Sequence, residues 1–398
     1  MISSLVANLG TIAAKYQRKR LLQTLTHQQQ QNPPTPSPNP FGITSRPSSE
    51  SPAGSNPSFV NGVATKDLHI DPLSSLSIRI FLPDTVVSAG SGICPRYGGY
   101  LPPSGKQRRL LRKLPVVLQF HGGGFVSGSN ESAENDLFCR RVAKAWDSLV
   151  VAVGYRLAPE SKYPAAYEDG VKVLNWFVKQ SNLGVYGGLG VQSGNFDSFG
   201  VSMVEPWLAA HGDPSRCVLL GVSSGANIAN YVAEKAVEEG NLLNPVKIVA
   251  QVLMYPFFMG TTVPSHCEVN YTTSYFYSKS MYKMAWKLFL PEVGAFDDLD
   301  HHPAANPLVP GKHPPLKHMP PTLTIIAEHD FMRERAIAYS EELRRVNVDA
   351  PLLEYKNVGH EFATLGWLLQ TPQAQACAED IGIWVKKYIS VRGNELSY

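Results

Sequence analysis

Short apolar runs alternate with longer amphipathic segments from about residue 60 onward in this chain of 398 residues. Several of the short runs are apolar throughout, which is typical of strands whose sheet is covered by helices on both faces. We predict strands at residues 76–83, 114–120, 148–159, 216–223, 247–258, 321–330 and 350–359. We predict helices at residues 136–147, 165–180, 226–240, 333–348 and 374–389. This alternation predicts an α/β fold with a mostly parallel central sheet flanked by helices.

The N-terminal region has a different composition. Apolar residues recur at helical spacing within residues 1–27, which predicts an amphipathic helix that docks on the rest of the protein. The same stretch is basic and no Asp or Glu precedes Glu50, so an organelle transit peptide is the alternative. Residues 28–58 are rich in Gln, Pro and Ser and are predicted to form a linker, because such a segment cannot build a core. Residues 59–392 then form the α/β domain.

Composition excludes several classes of protein. The net charge is only +3, and no basic stretch interleaved with aromatic residues indicates a nucleic-acid surface. No long apolar run free of charge is present, so we predict no membrane span. The five cysteines are scattered and odd in number, which excludes a full disulfide framework. A reducing compartment, the cytoplasm, is therefore the predicted location.

A G-x-S-x-G motif stands where a predicted strand gives way to a predicted helix. It reads GVSSG over residues 221–225, with Ser223 in the middle. A sharp turn at such a junction exposes the serine Oγ above the edge of the sheet, where it can act as a nucleophile. Serine is also a common helix N-cap, so the motif points to chemistry only if the chain supplies partners for this serine.

The sequence FHGGGF, residues 120–125, follows directly on another predicted strand. Glycines let backbone N–H groups turn towards a ligand without hindrance from a Cβ atom. Gly122, Gly123 and Gly124 are therefore candidate donors of an oxyanion hole, and the amide of Ser224 is a further donor. The alternative is an ordinary glycine-rich turn.

Two further strand ends carry the partners that a serine nucleophile needs. Asp330 ends one predicted strand and His360 directly follows the next. The histidine would take the proton of Ser223 during attack on an acyl carbonyl, and the aspartate would fix the imidazole tautomer. Because ligands bind at the carboxyl ends of parallel strands, we expect the three side chains to meet there.

A cluster of histidines offers a competing interpretation, a metal site. Four of them lie in one proline-rich loop, at His301, His302, His313 and His318. Their spacing matches no zinc pattern, and no run of cysteines or carboxylates completes one. We therefore predict neither a metal nor a cofactor.

The quoted motifs resemble those of the plant carboxylesterases in the hormone-sensitive-lipase branch of the α/β-hydrolase fold, a family that includes the gibberellin receptors. The resemblance rests on HGGGF, YRLAPESKYPAAYEDG, GVSSGAN, the Asp330 loop and VGHEF, and the strand pattern extends it to roughly residues 60–392. It implies an esterase in which Ser223 is the nucleophile, His360 the base and Asp330 the residue that orients the base.

The resemblance carries further expectations. It implies an oxyanion hole built from the amides of Gly123, Gly124 and Ser224, with His121 supporting that loop. It also implies that the N-terminal helix lies over the pocket as a lid. The chain departs from the family at Val222, where Asp is usual, and at Ala226, where Gly is usual. We expect these departures to change local packing and substrate preference.

Two functions are compatible with this sequence. Receptors of the family lack the catalytic histidine and related dehydratases carry threonine at the nucleophile position, whereas this chain has His360 and Ser223. We therefore predict a serine carboxylesterase. No Lys or Arg adjoins the motifs to clamp a phosphate or carboxylate, so the predicted partners are small uncharged carboxylic esters. The alternative is a hormone-type receptor that binds a small molecule without hydrolysis. The aromatic-rich residues 256–291 either line an apolar pocket or belong to the core.

Overall fold

The computed structural model describes the central sheet and the helices around it. The described residues are 15–16, 18–27, 51–71, 74–87, 99–102, 111–186, 204–259, 279–291 and 299–390. Among them, no helix is long and apolar enough to cross a membrane.

Eight strands of the described residues form one sheet, in the order β1-β2-β4-β3-β5-β6-β7-β8. The strands are β1 Val63–His69, β2 Ser77–Pro83, β3 Leu114–Phe120, β4 Leu149–Gly154, β5 Gly212–Val222, β6 Ile248–Met254, β7 Thr322–Ala327 and β8 Leu352–Tyr355. Pairing is antiparallel between β1 and β2 and between β2 and β4. The remaining pairs are parallel. The predicted α/β-hydrolase architecture is confirmed.

Helices cover both faces of the sheet. They are α1 Ala133–Trp146, α2 Ala165–Tyr186, α3 Pro206–His211, α4 Ser224–Glu239, α5 Lys279–Phe289, α6 Arg333–Arg345 and α7 Pro372–Ile389. Successive residues of a strand point to opposite faces, and the central strand β3 shows this clearly. Leu118 joins the hydrophobic cluster on one face, and its neighbour Val117 joins the cluster on the other. Both side chains are fully buried, which explains why this strand is apolar except at Gln119.

The predicted elements are present in the structure with ends that shift by a few residues, but one strand and two helices were missed. Strand β1 was missed because only its first three residues are buried, and Lys66 and Asp67 break the apolar run. The short helix α3 and the helix α5 were also missed. The predicted strand at 148–159 is too long, because β4 ends at Gly154 and the chain then turns at the sheet edge.

The N-terminal segment contacts the domain. Residues 18–27 are helical, and Leu22 and Leu25 are buried in the same cluster as Phe125 and Trp286. The end of the predicted linker also lies against the domain, since Ser51 accepts a backbone hydrogen bond from the first residue of α1. Residues 1–14 and 28–50 lie outside the described residues.

Candidate active site

Ser223 occupies the sharp turn between β5 and α4. Its φ is +52°, in the left-handed region that non-glycine residues seldom adopt. The turn is held by backbone bonds: the Ser223 amide donates to Met254 at 2.9 Å, and the Ser223 carbonyl accepts from Ala226 at 2.9 Å. A Cβ on Gly225 would lie 2.2 Å from the carbonyl oxygen of Phe120. The motif therefore needs glycine at this position because helix α4 begins directly against the end of β3.

The structure brings Ser223, His360 and Asp330 together. The Nε2 atom of His360 lies 2.8 Å from the Oγ of Ser223, and its Nδ1 lies 2.6 Å from Oδ2 of Asp330. Because a carboxylate only accepts, Nδ1 carries the proton and Nε2 is left as the acceptor for the serine hydroxyl. This is the tautomer that general-base catalysis requires.

The loops that carry Asp330 and His360 are tied to each other. The amide of His329 donates to the Val358 carbonyl at 3.0 Å, and the amide of Asn357 donates to the Glu328 carboxylate at 2.8 Å. The Asp330 side chain is itself held, since its Oδ1 accepts from the Met332 amide at 3.0 Å. The distance between the two side chains is thus fixed by their backbones.

Burial shapes the electrostatics of this group. Ser223 and Asp330 are each 2% exposed, and His360 is fully buried. In such a water-poor site, charge–charge interactions and hydrogen bonds to charged groups are stronger than at the surface. An imidazolium formed during reaction would therefore be stabilised strongly by the adjacent Asp330 carboxylate.

The glycine-rich loop runs beside the nucleophile. A Cβ on Gly122 would lie 3.4 Å from the Cβ of Ser223. Gly123 and Gly124 have φ values of +122° and +63°, which suit glycine. In the part of the chain that the structure describes, neither of their amides donates to another backbone carbonyl. Ser224 is the first residue of α4, so its amide has no acceptor within the helix.

The side chain of His121 packs against the glycine-rich loop and contacts its backbone. Its ring is buried and stacks on Tyr155 with 4.2 Å between ring centroids. The ring Nδ1 donates to the Gly122 carbonyl at 2.8 Å, and the Tyr155 hydroxyl donates to the His121 carbonyl at 2.8 Å. Burial lowers the pKa of His121 to about 4, so the ring is neutral at physiological pH. Sequence reasoning did not single out Tyr155, although it lies in the quoted YRLAPE stretch.

A wall of aromatic side chains closes one side of the site. Helix α5 presents Tyr282, Ala285, Trp286 and Phe289 to it, at the spacing of one helix face, and all four are buried. A Cβ on Gly124 would lie 3.3 Å from the Cβ of Ala285, so α5 packs directly on the glycine-rich loop. This helical spacing in SMYKMAWKLF was the signal by which α5 could have been found.

The histidines for which a metal site was considered include His313, which contacts a carboxylate. His313 Nδ1 lies 3.0 Å from the carboxylate of Glu234 on α4. Burial is the largest single influence and acts to lower the pKa of His313. The hydrogen bond to Glu234, the negative charge of Glu234 and smaller contributions together outweigh burial, so the pKa is raised. Across the described residues, no group of three His, Cys, Asp or Glu side chains is placed to hold a metal ion.

The structure adds a charged pair that the sequence did not reveal. Arg18 of the N-terminal helix lies with His121, Gly122 and Gly123 around a cavity beside the glycine-rich loop. Its guanidinium forms an ion pair with Glu361, the residue that follows His360. A cation is thus present near the motifs, contrary to the sequence-based expectation, but it is paired with a carboxylate.

Comparisons with known proteins bear on the fold and the family of this chain. A family profile for the alpha/beta hydrolase fold matches residues 117–364. A probable carboxylesterase 16 from Arabidopsis thaliana is 57% identical, over 90% of this chain and 92% of the relative. The gibberellin receptor GID1C from the same plant is 31% identical, over 80% of this chain and 78% of the receptor. A thermostable esterase from Pseudomonas putida has a TM-score of 0.61 at 22% identity, over 83% of this chain and 84% of the esterase, and this supports the fold alone.

Proposed function

The chain belongs to the α/β-hydrolase family, in its plant carboxylesterase branch, and on that premise we propose that it hydrolyses small uncharged carboxylic esters through an acyl-enzyme intermediate. The observation that carries the proposal is the chain of contacts from Ser223 through His360 to Asp330, at 2.8 and 2.6 Å. These distances are those of a nucleophile, its base and the residue that orients the base.

In the first half of the proposed reaction, the Ser223 Oγ attacks the carbonyl carbon of the ester. His360 Nε2 takes the serine proton and then gives it to the oxygen of the departing alcohol, which leaves an acyl group on Ser223. In the second half, His360 takes a proton from water, the hydroxide attacks the acyl group, and the proton returns to Ser223 as the acid departs. Both halves pass through a tetrahedral oxyanion.

The proposed oxyanion hole consists of the Gly123, Gly124 and Ser224 amides, with Gly122 shaping the approach to the nucleophile. Support comes from the positive φ values of Gly123 and Gly124, which turn this loop sharply beside Ser223. Each well-placed donor of such a hole contributes about 3 to 4 kcal/mol of transition-state stabilisation. His121 is proposed to hold the loop through its hydrogen bond to the Gly122 carbonyl.

The surroundings favour a small uncharged substrate. The side of the site next to Gly124 is closed by α5 and by the fully buried rings of Phe125 and Trp286, which limits the size of the acyl group on that side. The nearby cation, Arg18, is paired with Glu361, so its charge is already balanced by a carboxylate of this protein.

The receptor alternative is less well supported. A receptor has no need of a histidine in hydrogen-bonding contact with the serine, yet His360 makes that contact here and is itself held by Asp330. The higher identity to a probable carboxylesterase than to the gibberellin receptor points the same way.

The test is covalent labelling of the nucleophile. The purified protein is incubated with a fluorophosphonate, and the adduct is mapped by mass spectrometry; we expect it on Ser223. A short-chain nitrophenyl ester should give a burst of nitrophenol followed by turnover, and both should vanish in Ser223→Ala. Absence of turnover together with an unlabelled Ser223 would exclude the esterase and leave the receptor.

We also propose a cytoplasmic location, with the N-terminal helix serving as a lid. The support is that Leu22 and Leu25 are buried in the core cluster, whereas a transit peptide is removed from the mature protein. A fluorescent protein fused to the C-terminus tests this proposal. Fluorescence in plastids, with loss of the first residues from the purified protein, would contradict it.

A further inference from the structure

The residue after the proposed catalytic histidine has an unusual conformation. Glu361 has a φ of +65°, in the left-handed region that a glutamate seldom adopts. Its carbonyl oxygen accepts from the amides of Thr364 at 3.1 Å and Leu365 at 3.3 Å. The chain therefore turns sharply at Glu361, and the direction of this turn determines where His360 sits. A residue held in such a conformation needs support from its surroundings.

That support reaches Glu361 from the other end of the chain. Its carboxylate pairs with Arg18, 343 residues away in sequence. The two side chains are 12% and 5% exposed, so the pair is largely shielded from solvent. On the same helix, Leu22 and Leu25 are buried in the domain core, which fixes the guanidinium beside the turn.

We propose that Arg18 and Glu361 are positioning residues, whose ion pair holds His360 in line with Ser223 and makes catalysis depend on the docked N-terminal helix. The inference rests on the proposed hydrolase function. The pair touches no reacting atom. It acts by holding the backbone turn that follows His360, and a shift of the base by about 1 Å can lower a rate about a hundredfold.

Loss of the Arg18–Glu361 pair should change the kinetics in a different way from loss of a simple lid. A lid that only covers the substrate would contribute binding, so its loss would raise KM and leave kcat unchanged. A pair that positions the base would act on the chemical step, so its loss would lower kcat and slow the reaction of Ser223 with a fluorophosphonate. The two roles can therefore be separated by kinetics.

The test compares Arg18→Ala and Glu361→Gln with two matched controls in the full-length protein. Lys19→Ala removes an exposed cation from the same helix, and Glu341→Gln removes an exposed carboxylate from α6. Rates are normalised by active-site titration, so that unfolded protein does not count. We expect kcat and the rate of fluorophosphonate labelling to fall about tenfold or more in the first two variants, with KM within about threefold, and both controls to match wild type.

Exchanging the two charges of the Arg18–Glu361 pair provides an independent test. The double variant Arg18→Glu/Glu361→Arg should recover activity relative to each of its single variants, which leave two like charges in contact. Trypsin should cleave the N-terminal helix of Glu361→Gln faster than that of Glu341→Gln, because the helix is released. This readout needs no activity.

Two outcomes would overturn the proposal. One is normal kcat and labelling in Arg18→Ala and Glu361→Gln. The other is a rise in KM alone, which would assign the pair to substrate binding. An inactive wild type with unlabelled Ser223 would instead refute the proposed function, so the two failures are distinguishable.

Discussion

The Nε2 atom of His360 lies 2.8 Å from the Oγ of Ser223, although 137 residues separate them in the chain. The sheet brings them together, because β5 ends at the nucleophile and β7 and β8 lead into the loops of Asp330 and His360. All three strands run parallel and present their carboxyl ends at one edge. The geometry of the site is therefore a direct consequence of strand order.

The two neighbouring serines are expected to differ sharply on mutation. Ser223→Ala removes the nucleophile and should lower kcat at least a thousandfold. Ser224→Ala keeps the backbone amide and should change kcat by less than about threefold. Among the described residues, the Ser224 hydroxyl is buried without a hydrogen-bond partner, so its loss should leave the melting temperature equal or slightly higher. Ester hydrolysis and calorimetry check both results, and a large loss of kcat in Ser224→Ala would contradict them.

Gly122 and Gly123 of the glycine-rich loop should differ in how well they tolerate substitution by alanine. A Cβ on Gly123 would lie 2.1 Å from the carbonyl oxygen of Ser127, and its φ of +122° disfavours any other residue. Gly123→Ala should therefore displace the loop and reduce kcat about a hundredfold or more, the effect of losing an oxyanion donor. A Cβ on Gly122 meets its nearest neighbour, the Val222 carbonyl oxygen, at 3.3 Å, so Gly122→Ala should retain much more activity.

The comparison is made with titrated active sites, which separates loop geometry from folding yield. Equal losses in Gly122→Ala and Gly123→Ala would show that the loop tolerates neither change. The close approach of a Cβ on Gly123 to the Ser127 carbonyl oxygen would then not distinguish Gly123 from Gly122.

Local patterns account for the parts of the fold and site that the sequence predicted. Residues 114–118 of β3 and 217–222 of β5 form apolar runs because both faces of the sheet are covered there, so the apolar pattern was a strong signal of a strand. Ser223, Asp330 and His360 could be placed because each stands at the end of a predicted strand or directly after it. Their mutual distance follows from parallel strands with a common carboxyl edge.

The features that the sequence did not reveal depend on contacts between distant segments. The Arg18–Glu361 pair joins residues 343 positions apart, and no short-range pattern links them. Among the described strands, β1 pairs with β2 alone, and it carries the charged residues Lys66 and Asp67, so its composition looks like that of a loop. Val222, the departure from the family, packs its Cγ1 toward Gly122, where a Cβ would lie 3.4 Å away. Which substrate that contact favours is not encoded in the motif.

Ala285 is expected to limit the size of the acyl group. Its Cβ faces Gly124 at the closed side of the site. Ala285→Val should lower kcat/KM for nitrophenyl acetate about tenfold or more, since a pocket discriminates one or two methyl groups by about that factor. Ala285→Gly should raise the ratio of butyrate to acetate hydrolysis. It should also lower stability by about 1 kcal/mol, the usual cost of glycine within a helix.

Lys283→Ala, which changes an exposed residue of the same helix, is the control for these two variants. Acyl-chain profiles of all three proteins are measured on a series of nitrophenyl esters. An unchanged profile in both Ala285 variants would place the acyl group elsewhere in the site.

The protein should become less stable as the pH is lowered, because the buried ring of His121 must then take up a proton. Burial holds its folded pKa at about 4, below the unfolded value of about 6.5. The neutral ring is therefore favoured by folding, so this contribution is complete above about pH 6.5 and is lost as the pH falls towards 4. At pH 5 the expected loss is roughly 2 kcal/mol in the free energy of unfolding. His313 has a raised pKa and the opposite sign, so only a comparison of single variants isolates His121.

Chemical denaturation of the wild type and of His121→Asn at pH 7 and pH 5 tests this prediction. The variant lacks the titrating ring, so it should lose roughly 2 kcal/mol less than the wild type on going to pH 5. His318→Asn, which changes an exposed histidine, should behave like the wild type. Equal losses of stability in wild type and His121→Asn would mean that the buried ring of His121 is protonated more easily than its surroundings indicate. The conclusion that a neutral His121 ring supports the glycine-rich loop would then be wrong.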